Sequence, residues 1–203
     1  MPGWIDSSGV LAKWEGVHAA MEANGGKVDA ATFAEASSCI ITIFDLISGM
    51  GTAKGDMEGN AKTVAKWGAE KGGAIQDIVL AEIAAGNLKK LIGDGKTATC
   101  ALLWLVRALT FIKVMVKELA DNRSKAMKDC VSDGYAASLK PHHGMIVKGV
   151  FAAAVKMAPA RDKFVEKLDD SEDACWQKIS GMMPQFGAVL DNLTKFCEEN
   201  QIK

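Results

Sequence analysis

The 203-residue chain has no excess of charge of either sign and no paired cysteines, and each absence excludes a class of function. Lysine and arginine number 24 against 25 aspartates and glutamates, a net charge of −1. Such a balance gives no field that would attract a phosphate backbone, so we expect no nucleic acid as a partner. The five cysteines form no Cys-x-x-Cys pair, which indicates neither a disulfide framework nor a zinc site and favours a reducing compartment.

The sequence also lacks a long uninterrupted apolar run. Residues 101–116 are the most apolar stretch, but they include Arg107 and Lys113 and are too few to cross about 30 Å of hydrocarbon at about 1.5 Å per residue. They predict a buried core helix. The first residues carry neither the basic nor the apolar segment of a signal peptide, so we expect a cytoplasmic protein.

What the chain does contain is helical periodicity in almost every segment. Apolar residues make up 49% and charged residues 24%, enough to bury a core, and the length fits one domain over residues 1–203. No stretch alternates apolar and polar residues as a strand would, so we predict an all-α fold.

Several residues predict where helices begin and end. Asp29, Asp56 and Thr97 are expected at helix starts, and a glycine-containing turn is expected over residues 48–55. Ser7 or Ser8 could cap a first helix that ends near residues 24–26. Pro184 predicts a kink or a break in the final helical segment, residues 171–200.

Candidates for chemistry are weak. Gly95-Lys96-Thr97 resembles the end of a phosphate-binding loop, but Lys90 stands where the loop needs a glycine and no strand precedes it. His142 and His143 are adjacent, so on a helix they point about 100° apart and predict no metal site. No nucleophile set can be assigned from spacing alone. We therefore predict no cofactor, no metal and no enzymatic activity.

Two groups of residues favour ligand binding. Asp56 and Asn60 are four apart, so both side chains project from one helix face and could clamp adjacent hydroxyls, although a solvated face is the commoner reason for such a pair. Trp104, Arg107 and Phe111 share a face of the most apolar helix. A guanidinium beside an apolar core needs a polar partner, and Asp56 is a candidate.

Taken in order, separated segments of the chain resemble the glycolipid transfer protein family. The matching segments are Ile43-Phe44-Asp45 followed by Lys54-Gly55-Asp56-Met57-Glu58-Gly59-Asn60, then Trp104-Leu105-Val106-Arg107-Ala108-Leu109-Thr110-Phe111-Ile112, then His143-Gly144-Met145-Ile146-Val147, and finally Phe151 through Ala158-Pro159. They span residues 43–159. Each motif is weak alone, but their shared order and spacing make coincidence a poor explanation.

The resemblance implies a two-layer sandwich of about eight helices with an apolar lipid tunnel between the layers, and a protein that carries lipid without catalysis. It implies that Asp56 and Asn60 hydrogen-bond the sugar and amide region of a sphingolipid, and that Trp104 stacks on the first sugar ring. His143 would hold the amide carbonyl of the ceramide, and Arg107 would brace the site. Phe111, in the same motif as Trp104, is a further candidate.

The chain departs from the family pattern at three points. Thr63 stands where the family often has a basic residue, and Lys66, one turn further along, could reach back to the headgroup. Met145 replaces a tryptophan thought to help the family dock on membranes, so membrane anchoring could be weaker here or could be supplied by Trp67, Trp176 or other apolar side chains. Many family members have an aromatic residue near the C-terminus, which this chain lacks; Ile202 occupies that region instead.

The expected ligand is a glycosphingolipid. Relatives that bind ceramide phosphate put cations where Trp104 and Asn60 stand, because a phosphate needs charge-assisted donors, whereas a tryptophan and a neutral amide suit a sugar. Transfer of ceramide-1-phosphate is the alternative, and so is a sphingolipid sensor that reports to a protein partner. We expect transient contact with membrane surfaces and a monomer.

Overall fold

The computed structural model describes residues 2–203, which form eleven α-helices and two short 3-10 helices with no β-strand among them. The all-α prediction is confirmed, with more helices than the eight or so expected. The α-helices are α1 (Trp4–Ser8), α2 (Val10–Ala23), α3 (Ala30–Ile41), α4 (Gly51–Lys71), α5 (Ile75–Ala85), α6 (Leu88–Gly93), α7 (Ala98–Asp121), α8 (Met127–Ala137), α9 (Met145–Val155), α10 (Arg161–Leu168) and α11 (Glu172–Glu199). The 3-10 helices are Thr42–Leu46 and Lys140–His142.

Side-chain caps fix two of the predicted helix starts. The carboxylate of Asp29 accepts from the backbone N–H of Thr32 at 2.9 Å, and the hydroxyl of Thr97 accepts from that of Cys100 at 3.1 Å. Each bond satisfies an amide that would otherwise have no partner at the helix end. Both starts are confirmed.

Other boundaries differ from the predictions. Gly9, with φ of 68°, divides the first predicted helix into α1 and α2, so Ser7 and Ser8 lie in α1 rather than ahead of one long helix. Helix α4 begins at Gly51 instead of Asp56, because Met50 and Met57 are both buried and hold the glycine-containing segment against the core. Of the two outcomes predicted at Pro184, a kink or a break, the break is wrong, since α11 runs through this residue with buried side chains on either side.

Helix α7 is the centre of the fold. Helices α4, α5, α8 and α11 pack directly on it, and α2 and α3 link α11 to α4 on the far side of the core. At 24 residues α7 is longer than the predicted apolar stretch and, by length and composition alone, could cross a membrane. Its most apolar window is 72% buried in the protein, so the predicted role as a core helix is confirmed.

The hydrophobic core is continuous from Ile5 to Ile202. Its largest buried side chains include Trp14, which packs edge-on to Phe33 and Phe186 at centroid distances of 6.1 and 4.5 Å. Helices α8 and α9 lie at the edge of this core, and α9 contributes only Phe151 to the buried residues. The weakly buried α9 therefore forms one wall of the space beside α4 and α7.

Candidate functional site

A cavity of about 430 Å³ lies between α4, α7 and α9. Asp56 and Asn60 of α4, Trp104 of α7 and His143, just before α9, all line it. Asp56 is exposed and Asn60, Trp104 and His143 are half-buried, whereas the lining residues Met50, Met57 and Ala108 are buried, so the polar groups lie at the mouth. The apolar part of the wall consists of Met50, Ala53, Met57, Ala108, Leu139, Val147, Val150, Phe151 and Ala154.

The side chains of Asp56 and Asn60, predicted to bind a ligand together, lie next to each other on α4. The side-chain amide of Asn60 donates to the backbone oxygen of Asp56 at 3.1 Å and lies 3.5 Å from its carboxylate. A salt bridge of 2.7 Å between Lys54 and Asp45 connects the start of α4 to the preceding 3-10 helix. This arrangement leaves the Asp56 carboxylate and the Asn60 amide oxygen free to accept hydrogen bonds from a ligand.

Arg107 does not pair with Asp56, contrary to the candidate pairing from sequence. Its guanidinium carbon lies 5.0 Å from the ring centroid of Trp104, one turn earlier on α7, and no carboxylate of residues 2–203 lies within ion-pair distance of it. Burial lowers the pKa of Arg107. The cation is thus held against an aromatic face, where the ring quadrupole attracts it, and it braces Trp104 from outside the cavity wall.

His143 is held between two aromatic side chains. Its ring stacks on Trp104 at a centroid distance of 5.6 Å and an interplanar angle of 23°, and its Nδ1 lies 3.0 Å from the hydroxyl of Tyr135. Burial lowers the pKa of His143, and the charges of Lys148 and Arg107 lower it further, although Asp56 opposes them. The imidazole is therefore neutral at neutral pH and offers one N–H donor to a ligand.

A chain of aromatic contacts connects this histidine to the core. Tyr135 stacks on Phe151 at 3.7 Å, Phe151 meets Phe111 edge-on at 5.7 Å, and Phe111 stacks on Phe44 at 5.6 Å. Tyr135 was not among the predicted site residues. It is the only tyrosine in the sequence, and nothing in the pattern of α8 indicates that it faces a histidine eight residues later.

The four further candidates from the sequence do not line the cavity; they are Thr63, Lys66, Phe111 and Ile202. The hydroxyl of Thr63 donates back to Gly59 at 3.0 Å, and Lys66 extends towards Glu70 at 3.8 Å, away from Asn60. Phe111 and Ile202 are both buried in the core. Phe111 contacts the cavity residue Phe151 edge-on, and the backbone N–H of Ile202 donates to the backbone oxygen of Cys197 in α11 at 2.8 Å.

Thr52, Gly95 and Cys100 also line the cavity, and none of them was predicted to bind a ligand there. Burial raises the pKa of the Cys100 thiol, which keeps it neutral. No lysine or arginine lines the cavity along the described part of the chain. The wall is thus neutral or apolar except for the carboxylate of Asp56.

Of the tryptophans suggested as substitutes for the family's membrane residue, Trp176 is buried and therefore not available. Trp67 is half-buried, and its indole N–H donates to the backbone oxygen of Lys96 at 3.0 Å. The exposed apolar side chains cluster on α9 instead, where Met145 is 89% and Ile146 84% exposed. Val147 and Val150, also exposed, line the cavity, so this surface adjoins the cavity wall.

Residues 2–203 bring together no group of three histidine, cysteine, aspartate or glutamate side chains that could hold a metal ion. The fold and the site define an all-helical protein with a largely apolar cavity, which ends at a mouth of hydrogen-bonding groups that includes one carboxylate and no lysine or arginine of the described residues. Such a space suits an amphipathic molecule with an uncharged polar head.

Comparison with known proteins agrees with this description. The family model described as glycolipid transfer protein matches residues 28–170. A glycolipid transfer protein of Aureobasidium melanogenum is 27% identical over 186 residues, which are 88% of this chain and 87% of that protein. The crystal structure of HET-C2, a fungal glycolipid transfer protein, superposes with a TM-score of 0.77 at 29% identity, covering 86% and 88% of the two chains.

The chain belongs to the glycolipid transfer protein family. Human ceramide-1-phosphate transfer protein, solved with bound 12:0 ceramide-1-phosphate, superposes with a TM-score of 0.85 and covers 96% of each chain, but at 16% identity the likeness shows the fold alone. The predicted two-layer helical sandwich is confirmed by these superpositions.

Proposed function

We propose that this protein binds one glycosylated sphingolipid and transfers it between membranes without changing it covalently. The sugar lies at the mouth beside Asp56, Asn60 and Trp104, and the hydrocarbon chains enter the apolar part of the cavity. His143 donates its N–H to the amide carbonyl of the ceramide. Membership of a family of lipid transfer proteins supports this assignment.

We choose a sugar headgroup over a phosphate because of the charges of the residues that line the cavity. Among residues 2–203 the cavity wall has no lysine or arginine, and the one ionised group in it is the exposed carboxylate of Asp56. A phosphate dianion requires several cationic donors and is repelled by a carboxylate. A sugar instead offers hydroxyl donors to Asp56 and a ring face to Trp104.

The cost of moving a lipid through water explains the apolar wall. Each methylene exposed to water costs about 0.8 kcal/mol, so a chain of about sixteen carbons costs on the order of 13 kcal/mol. A carrier must therefore replace the bilayer with an equally apolar surface. The wall formed by Met50, Met57, Ala108 and Phe151 provides part of such a surface, and methionine adapts to chains of different shape.

We further propose that α9 is the part of the protein that touches the membrane. Met145 and Ile146 are almost fully exposed, and large exposed apolar clusters mark interaction surfaces. Because Val147 and Val150 of the same helix line the cavity, a bilayer in contact with α9 would also face the cavity. Lipid could then pass from bilayer to cavity along an apolar route.

The decisive experiment is transfer of fluorescent lipids between vesicles, comparing glucosyl- or galactosylceramide with ceramide phosphate. The wild type is measured beside Trp104→Ala and, as the matched control, Trp67→Ala, because Trp67 lies on α4 but outside the cavity. We expect glycosylceramide transfer by the wild type and the control, and little transfer by Trp104→Ala. Helical content and thermal unfolding confirm that each variant is folded.

Other outcomes would change the proposal in different ways. Transfer of ceramide phosphate alone would overturn the headgroup assignment. Tight binding of glycosylceramide without net transfer, together with a protein partner captured only in the lipid-bound state, would replace the carrier with a sensor. A changed lipid mass after prolonged incubation would contradict the absence of catalysis.

A further inference from the structure

A second hollow, of about 320 Å³, lies on a neighbouring face of α9, and Phe151 lines both this hollow and the lipid cavity. Three of its lining residues are lysines: Lys140 from the 3-10 helix, and Lys148 and Lys156 from α9 and its C-terminal end. The remaining lining residues are Ser132, Tyr135, Phe151, Ala152 and Val155. The hollow is therefore a basic rim around a mostly apolar floor.

None of the three lysines is neutralised. No aspartate or glutamate lines the hollow, and across residues 2–203 no carboxylate lies within 4.0 Å of Lys140, Lys148 or Lys156. Elsewhere lysines do find partners: Lys125, for example, pairs with Glu118 and Asp133 at the other end of α8. Three ammonium groups around one hollow repel each other unless an anion lies between them.

The spacing along α9 separates this hollow from the lipid cavity. Val147, Val150 and Ala154 line the cavity, whereas Lys148, Ala152, Val155 and Lys156 line the hollow. Positions three and four apart share a helix face, so α9 presents one face to each space. Phe151 touches both, and Tyr135, stacked on it, reaches His143 through its hydroxyl.

The surroundings indicate what kind of anion would occupy the hollow. Met145 and Ile146, 89% and 84% exposed, project from the same helix, and Met157 follows Lys156 directly. A soluble anion would gain nothing from these side chains. A bilayer would cover them and would bring phosphate groups to the level of the lysines, as basic residues beside an amphipathic helix do at anionic membranes.

We propose that Lys140, Lys148 and Lys156 form a second binding site, separate from the lipid cavity, for the phosphate headgroup of an anionic membrane lipid. The site depends on the proposed function in one respect, that α9 contacts a bilayer. It lets the protein distinguish anionic from neutral membranes without placing a cation in the cavity that receives the sugar.

The test is equilibrium binding to vesicles that contain no glycolipid, so that transfer plays no part. Phosphatidylcholine vesicles with and without phosphatidic acid are sedimented with the wild type, with a Lys140→Gln, Lys148→Gln, Lys156→Gln variant, and with a control carrying Lys62→Gln, Lys89→Gln and Lys167→Gln. Both triple variants lose the same charge, and the control lysines also lie outside ion-pair distance of the described carboxylates. Thermal unfolding checks that each is folded.

We expect the wild type and the control to bind anionic vesicles with similar affinity. Each lysine lost from the hollow should weaken that binding about fivefold, the ratio that corresponds to about 1 kcal/mol per basic residue at an anionic surface. Binding to pure phosphatidylcholine should be the same for all three proteins. Equal loss in the two triple variants would overturn the proposal, because it would show a response to net charge alone.

A titration with inorganic phosphate separates the two sources of the anion. If phosphate alone occupied the hollow at low concentration while the hollow variant still bound anionic vesicles normally, the lipid assignment would be wrong. A protein that bound anionic vesicles through these lysines but transferred no glycolipid would keep this inference and overturn the proposed function instead.

Discussion

The hydroxyl of Tyr135 lies 3.0 Å from Nδ1 of His143, so the phenol and the imidazole share one hydrogen bond. Burial raises the pKa of Tyr135, so the phenol keeps its hydrogen, and burial lowers the pKa of His143, so the imidazole is neutral. We expect Tyr135 to donate to Nδ1, because a phenol O–H is a stronger hydrogen-bond donor than the N–H of a neutral imidazole. In that arrangement the proton of the neutral ring is left on Nε2, where it is available to a ligand carbonyl.

Replacing Tyr135 with Phe tests this arrangement, because the ring can still stack on Phe151 while the hydroxyl is lost. We expect glycosylceramide affinity to fall about fivefold, in line with about 1 kcal/mol for a hydrogen bond, with only a small change in thermal stability. Nitrogen-15 NMR of His143 should show a mixture of tautomers. Tyr135→Leu is the comparison that also loses stability, and an unchanged tautomer in Tyr135→Phe would contradict the prediction.

The carboxylate of Asp56 should increase the affinity for glycosylceramide and decrease the affinity for ceramide phosphate. Asp56→Asn keeps the shape and removes the charge, so we expect glycosylceramide affinity to fall about tenfold or more, as for loss of a charge-assisted hydrogen bond. Ceramide phosphate binding should increase, because the repulsion is gone. Glu58→Gln, on the same helix but outside the cavity, should change neither; a parallel loss for both lipids would point to misfolding instead.

Side-chain changes at the exposed end of α9 should change membrane binding without changing lipid affinity. Met145→Trp adds an interfacial aromatic ring and should strengthen binding to neutral vesicles, whereas Met145→Ser should weaken it. Leu80→Ser is the matched control, because Leu80 is an exposed apolar residue on α5. Sedimentation with vesicles measures the effect, and equal losses at both positions would argue against a special role for α9.

Stability should decrease on acidification because two histidines are held neutral. Burial lowers the pKa of both His142 and His143, and Arg107 adds to this at each, while Asp56 opposes it at His143. The unfolded chain takes up protons near the usual histidine value of about 6.5. The stabilising contribution is therefore present above that pH and lost as the pH falls through the lowered folded values.

Thermal unfolding between about pH 7 and pH 5 measures this loss, on either side of the usual histidine value. A variant with His142→Gln and His143→Gln should show a shallower decrease than the wild type. His18→Gln, on α2, provides the control, and an identical slope in the double variant would show that other groups cause the loss.

Close packing of α8 on α7 depends on Gly134. A Cβ there would lie 2.8 Å from a ring carbon of Phe111 and 2.9 Å from its backbone oxygen. Gly134→Ala should therefore destabilise the protein by about 1–3 kcal/mol through overpacking. Gly181→Ala, in α11 with nothing within 4 Å of the added atom, should instead stabilise by about 0.5–1 kcal/mol. Chemical denaturation measures both changes.

The part of the site that lies on single helices could be predicted from the sequence. The four-residue spacing of Asp56 and Asn60 and the three-residue spacing of Trp104 and Arg107 determine side-chain neighbours whatever the rest of the chain does. Both contacts are present in the structure. The resemblance to a family then placed His143 beside them, which periodicity alone could not do.

Contacts between helices could not be predicted in this way. The proximity of Tyr135 to His143 depends on the path of the chain between α8 and α9, and the position of Arg107 depends on which neighbour it meets after folding. Helix α4 begins five residues early because tertiary burial of Met50 outweighs the local preference of the surrounding glycines for a turn. The cytoplasmic location and the monomeric state stay predictions.

The apolar surface of α9 also restricts how concentrated this protein can become in water. Of its eleven residues, each of which the structure describes, Phe151 alone is buried, and the exposed methionine and isoleucine would be covered equally well by a second copy of the chain. Solubility in water favours polar residues at these positions, whereas the contact with bilayers that we propose favours the apolar residues that are present. Under that proposal, solubility and membrane contact place opposite demands on a single short helix.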